Sequence, residues 1–121
     1  MVKTVAAVTL GCKVNQYDTE AMLEAFERHC YRIVPNGSPA DVYLVNTCTV
    51  TGTGDKKSLQ LIRRCRRRNP QADVVVTGCL AQRMGEQLRE TGARLILGTQ
   101  YRGRVVELLE QAIAENIQMV A

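Results

Sequence analysis

The sequence predicts an α/β domain. It is a three-layer, flavodoxin- or Rossmann-like arrangement with a parallel five-stranded sheet of order 2-1-3-4-5 and helices on both faces. Three observations predict it. Short β-branched runs alternate with amphipathic stretches along the whole of the 121 residues. The run Asp73-Val74-Val75-Val76-Thr77 is nearly all β-branched, as a strand covered on both faces should be. Helix-length segments separate most successive strands, and right-handed crossovers turn such strands into parallel neighbours.

Each element has its own local warrant. Val5 to Leu10 reads as the first strand and is followed by Gly11-Cys12. Asn15 or Asp18 is expected to cap a helix running to about Cys30, with Met22, Leu23, Phe26 and Cys30 on its buried face. Tyr31 to Val34 is a short second strand, and Pro35-Asn36-Gly37-Ser38-Pro39 breaks the chain into a loop too short for a helix. Asp41 to Asn46 is the third strand, ending at Thr47-Cys48. Thr51-Gly52-Thr53-Gly54 permits a tight entry into a helix over Asp55 to Arg68, which Asn69-Pro70 stops. The fourth strand ends at Gly78-Cys79. A helix over Ala81 to Glu90 is closed by Gly92, Leu95-Ile96-Leu97 is the fifth strand, and a last helix spans Arg102 to Glu115.

Composition narrows the class of protein. With 45% hydrophobic and 23% charged residues the chain is neither disordered nor fibrous. No apolar run reaches the ~18 residues of a membrane span, and the N-terminus carries no secretory pattern. Five cysteines without an export signal point to a cytoplasmic protein with free thiols. The net charge of +4 is local: residues 56–68 hold seven basic residues and no acidic one, leaving nine basic against twelve acidic residues elsewhere. Such a face suits a polyanion, nucleic acid first; a solvated helix face has the same pattern.

The cysteines are the most informative feature. Cys12, Cys48 and Cys79 each follow a predicted strand within one or two residues, in the words Leu10-Gly11-Cys12, Asn46-Thr47-Cys48 and Thr77-Gly78-Cys79. In a sheet of order 2-1-3-4-5 strands one, three and four are neighbours, so their carboxyl ends meet at the crevice where such folds bind ligands. Gly11 and Gly78 let the backbone approach a bulky group. Three thiolates with no histidine nearby suit an iron–sulfur cluster better than zinc, which favours four ligands and a Cys-x-x-Cys pair. Clusters normally take four cysteines, so three would leave one iron open. The plainer alternative is three small hydrophobes at strand ends. Asn15 and Asn46 flank two of the thiols and are candidates to support them. Asp18 and Glu20 are candidates to position a polar partner or to favour the first helical turn. Cys30 and Cys65 read as core.

The words Thr9-Leu10-Gly11-Cys12-Lys13-Val14-Asn15-Gln16-Tyr17-Asp18-Thr19-Glu20, Val45-Asn46-Thr47-Cys48-Thr49-Val50-Thr51 and Val76-Thr77-Gly78-Cys79 resemble the N-terminal domain of radical-SAM methylthiotransferases. The resemblance covers about residues 3–115, and the Lys-Val-Asn-Gln variant is most similar to the branch acting on N6-threonylcarbamoyladenosine in tRNA. It implies that Cys12, Cys48 and Cys79 hold an auxiliary [4Fe-4S] cluster whose open iron carries the sulfur to be transferred. It implies a second domain, with Cys-x-x-x-Cys-x-x-Cys, that binds another [4Fe-4S] cluster and S-adenosylmethionine and makes the radical that attacks C2 of adenosine 37. It also implies a C-terminal tRNA-binding domain, and a sulfur donor or reductant as partner. No Cys-x-x-x-Cys-x-x-Cys occurs here. The expectation is therefore that residues 1–121 are the cluster-binding domain alone, without the radical-SAM and tRNA-binding domains, and inactive by themselves. Arg63, Arg64, Arg66, Arg67 and Arg68 are candidate tRNA contacts. The alternatives are the branches acting on isopentenyladenosine in tRNA or on a ribosomal protein, and a flavodoxin-like electron carrier.

Overall fold

The computed structural model describes residues 3–10, 13–35, 37–47 and 52–121. Its centre is a parallel sheet in the order β2-β1-β3-β4-β5-β6. The strands are β1 (Thr4–Thr9), β2 (Arg32–Ile33), β3 (Val42–Thr47), β4 (Asp73–Gly78), β5 (Leu95–Leu97) and β6 (Met119–Val120). The predicted order therefore stands for the first five, and the sheet has six strands, not five. The sixth consists of two residues, too short to leave a periodic signal. It is seen only because Met119 N–H donates to Arg94 O at 2.9 Å and Ala121 N–H to Ile96 O at 2.9 Å.

The two central strands carry the fold. Every residue of β3 is buried, and so are all of β4 but its first. Alternate residues feed two cores, one on each face. Tyr43, Val45, Val74 and Val76 pack with Ile62 and Cys65 of α2 (Gly52–Arg68) and with Leu80 of α3 (Cys79–Met84). Val42, Leu44, Val75, Leu95 and Leu97 pack on the other face with Met22 and Phe26 of α1 (Lys13–Arg28) and with Val105, Val106 and Leu109 of α4 (Val105–Glu115). Burying a Val, Leu or Ile stabilises by roughly 1.5–3 kcal/mol, so this two-sided packing outweighs the low helix propensity of residues such as Gly52 and Gly54.

Several boundaries move, each for a local reason. The helix α1 begins at Lys13, so Asn15 and Asp18 lie inside it and not at its N-cap position. The predicted helix over 81–90 is the short α-helix α3 over Cys79–Met84 followed by a 3-10 stretch over Gly85–Thr91. Gly85 at φ 47 ends the α-helical part. The last helix starts at Val105, preceded by a 3-10 turn over Thr99–Arg104. Cys65 is core, 2% exposed. Cys30 is not: it stands beyond the end of α1, exposed, at φ 67.

Candidate functional site at the carboxyl edge of the sheet

Strands β1, β3 and β4 are adjacent and parallel, so their carboxyl ends share one edge. The register aligns Thr9 with Asn46, Asn46 with Thr77, and Thr47 with Gly78. Leu10 N–H continues the β1–β3 ladder to Asn46 O at 2.9 Å. The strands stop at Thr9, Thr47 and Gly78. Cys48 and Cys79 are the next residues in sequence, and Cys12 follows Thr9 by three.

Beneath this edge lies a buried polar layer. The hydroxyls of Thr9 and Thr19 are 2.7 Å apart, and Asn46 Nδ2 donates to Thr19 Oγ1 at 3.1 Å. Thr47 Oγ1 donates to Thr77 O at 2.8 Å and accepts from Leu80 N–H at 3.1 Å. That second bond is a cap supplied by the neighbouring strand. The residue before α3, Gly78, has no side chain to satisfy the free N–H groups of the first turn. Thr47, fully buried, does so instead. The arrangement anchors α1 and α3 to the strand ends through buried hydrogen bonds, which are costly to leave unmade. Asn46, a candidate from sequence, takes part in this layer. Thr19, Thr47 and Thr77 were missed. Their only signal is position, at a strand end or in the second turn of the following helix.

Of the three cysteines, Cys79 is described: it is exposed, and its thiol is free. Cys12 and Cys48 lie outside the described residues, as does Gly11. The remaining predicted ligand set is therefore not brought together or separated here. Among the described residues no group of three or more His, Cys, Asp or Glu side chains could hold a metal ion. Asn15 lies in the first turn of α1. Asp18, in the second turn of the same helix, forms an ion pair with Arg102, fixing α1 to the 3-10 turn after β5. Of the expected helix entry, Thr51 is outside the described residues, and Gly52 to Gly54 belong to α2 itself.

The sequence reading gave Gly78 a ligand-side role. The geometry gives it another. Its φ of 97 and ψ of −163 fall in a region only glycine populates. A Cβ there would lie 2.2 Å from Thr47 O and 2.7 Å from Asn46 Oδ1. The missing side chain makes room for strand β3, while the thiol of the next residue is left at the surface.

The basic residues form a second feature. Lys56, Lys57, Arg63, Arg64, Arg67 and Arg68 are exposed on α2, and Arg66 is partly buried. Arg89, Arg94, Arg102 and Arg104 each pair with a carboxylate. None of the seven basic residues at 56–68 has an ion pair or side-chain hydrogen bond among the described residues. The helix starts at the carboxyl edge and ends at the opposite, amino edge. At 1.5 Å per residue Arg66 stands about 21 Å along the axis from Gly52.

A parallel sheet with a polar floor at one edge defines the class: an open α/β domain, a fold in which ligands generally bind at the strand carboxyl ends. Solved structures share the fold. One is "Structure of two RcsB dimers bound to two parallel DNAs", with a TM-score of 0.68 at 12% identity over 100% of this chain and 64% of that one. Another is "BeF3 Activated DrrB Receiver Domain", with a TM-score of 0.65 at 11% identity over 94% of this chain and 99% of that one.

The chain belongs to the family described as "Uncharacterized protein family UPF0004", whose model matches residues 4–98. Among curated relatives, a threonylcarbamoyladenosine tRNA methylthiotransferase MtaB of Bacillus subtilis is 48% identical over 89% of this chain and 24% of its own length. That of Aquifex aeolicus is 42% identical over 96% of this chain and 28% of its own length. A ribosomal protein uS12 methylthiotransferase RimO of Desulfitobacterium hafniense is 34% identical over 98% of this chain and 28% of its own length. The chain thus spans about a quarter of the length of these relatives. No helix among the described residues is long and apolar enough to cross a membrane.

Proposed function

We propose that this chain is the auxiliary-cluster domain of a tRNA methylthiotransferase, holding a [4Fe-4S] cluster through Cys12, Cys48 and Cys79. The observation that carries the reading is the adjacency of β1, β3 and β4. Three strand ends share one edge, and each is followed within three residues by a cysteine. The donor set fits the group: the described thiol, Cys79, is exposed and unpaired by a disulfide, and thiolates are the ligands such clusters take. When bound, the cluster would supply an iron without a protein ligand, able to hold the sulfur that is transferred.

The chain's own residues would do the positioning. Thr47 ties the turn that carries Cys79 to strand β3, and Thr19 with Asn46 ties α1, which follows Cys12, to the same strand. Ligands fixed by buried hydrogen bonds have less freedom to lose on binding. The substrate we assign is tRNA carrying N6-threonylcarbamoyladenosine, modified at C2 by the complete enzyme with S-adenosylmethionine and a second cluster. Identity of 48% to a relative named for that substrate, against 34% to one named for a ribosomal protein, supports this branch. The unpaired arginines of α2 support an RNA partner.

Anaerobic reconstitution with iron and sulfide tests the reading. We expect ~4 iron per chain, falling below one in Cys12→Ala, Cys48→Ala or Cys79→Ala and unchanged in Cys30→Ser. Equal iron in all variants, or flavin in the purified protein, would overturn it.

A further inference from the structure

We propose that the cleft between the end of α2 and the amino edge of the sheet is a phosphate-binding site for an RNA backbone, with Arg66 as its anchor. The cleft has a volume of about 340 Å³ and is lined by Arg66, Gln71, Asp73, Gly92, Arg94 and Gln118, among others. It lies where β4, β5 and β6 begin, at the end of the sheet opposite the carboxyl edge.

Two arginines face it in different electrostatic states. Arg94 is neutralised: Nε donates to Asp73 Oδ1 at 2.9 Å, and Nη1 to Ile117 O at 3.1 Å. This pair cancels the one carboxylate in the lining. Arg66 has no such partner among the described residues, although it is partly buried. A guanidinium carries five donors and is always charged. One partly removed from water with no acceptor is therefore matched to an external anion. Its position is set by a special residue. Gly92, at φ 79, would place a Cβ 3.0 Å from Arg66 Nε and 3.1 Å from Nη2, so the guanidinium packs against the Gly92 backbone and a side chain there would push it aside. Arg63, one turn before Arg66 on the same face of α2, is exposed and adds a second charge with no ion pair among the described residues. A planar fork in a polar cleft, with a second cation one turn away on the same helix face, fits a phosphodiester chain better than a single free anion.

The identity of the anion rests on the RNA reading above. The consequence is spatial. A nucleic acid bound in the cleft while its target base reaches the carboxyl edge must extend about 20 Å along α2.

The test is to titrate the 121-residue chain with inorganic phosphate and, separately, with an RNA stem-loop, following amide and arginine Nε–H resonances. Phosphate is expected to shift Gly92 N–H and Arg66 Nε–H, and the RNA to displace it. Arg66→Gln should weaken RNA binding about tenfold and lower its salt slope by about one. Gly92→Asn tolerates the left-handed backbone and keeps the net charge, yet crowds the guanidinium. A comparable loss there separates a shaped cleft from diffuse attraction. Arg32→Gln, on the exposed strand β2, should change affinity less than twofold. Equal loss in Arg66→Gln and Arg32→Gln overturns the proposal. So does RNA binding that leaves the cleft resonances unmoved, or a phosphate response that RNA does not displace. Iron content measured on the same proteins keeps the two readings apart. Failure of reconstitution strikes the cluster and leaves the phosphate result standing.

Discussion

Single residues decide whether the carboxyl edge forms at all, and Gly78 is the clearest. Its backbone conformation is closed to other residues, and a methyl group would meet the Thr47 carbonyl at 2.2 Å. Gly78→Ala is expected to cost at least about 3 kcal/mol, read as a shift of the denaturant midpoint. A cost below about 1 kcal/mol would mean that β3 and β4 can part without penalty at this point. Thr47 is the complementary residue: its single hydroxyl closes a β-strand carbonyl and a helix N–H at once. Neither role is visible along the chain. In the sequence Gly78 reads as room for a ligand, and Thr47 is one more β-branched residue in a strand.

At the scale of elements, helix ends explain most boundary differences. Helix α1 ends in a Schellman motif: Tyr31 N–H donates to Phe26 O at 3.0 Å and Cys30 N–H to Glu27 O at 3.0 Å. The Phe26 and Tyr31 rings meet edge to face, 5.0 Å apart, as the accompanying apolar contact. The motif demands a left-handed residue, and Cys30 occupies that position at φ 67. Helical periodicity extended past Phe26 put Cys30 in the core; the cap turns it outward. Cys30→Gly should stabilise the protein by about 0.5–1 kcal/mol, since glycine adopts this conformation without steric cost. Thermal unfolding should move up by a few degrees; a lower midpoint would contradict the cap. The helix α4 uses the same device with Asn116 at φ 52, a residue better suited to it.

The whole molecule sets the environment of Tyr31, whose hydroxyl titrates at about 12. Burial is the main cause, and Glu110, Asp73 and Asp41 add repulsion from α4, β4 and the approach to β3. The folded protein therefore holds this proton more tightly than the unfolded chain, whose tyrosine titrates near its ordinary ~10. The stability linked to Tyr31 is intact below about pH 10 and is lost as pH rises towards 12. In Tyr31→Phe the fall in unfolding free energy between pH 10 and 12 should be shallower than in the wild type; an identical slope would assign the alkaline transition to other groups. Cys65 shows the same cause on the opposite face: burial raises its thiol pKa, against the pull of Arg68 and Arg64.

Read alone, the sequence determined the class of fold, the order of the first five strands, the basic stretch at 56–68 and the three cysteines that follow strands, because these rest on composition, local periodicity and crossover handedness. It did not determine the sixth strand, the outward turn of Cys30, the polar layer of Thr19, Thr47 and Thr77, or the cleft of Arg66. Those depend on contacts between residues such as Met119 and Arg94, or Leu80 and Thr47, that lie 25 and 33 positions apart. A hydrogen bond across that distance has no period to read. It exists only once packing has brought the strands side by side.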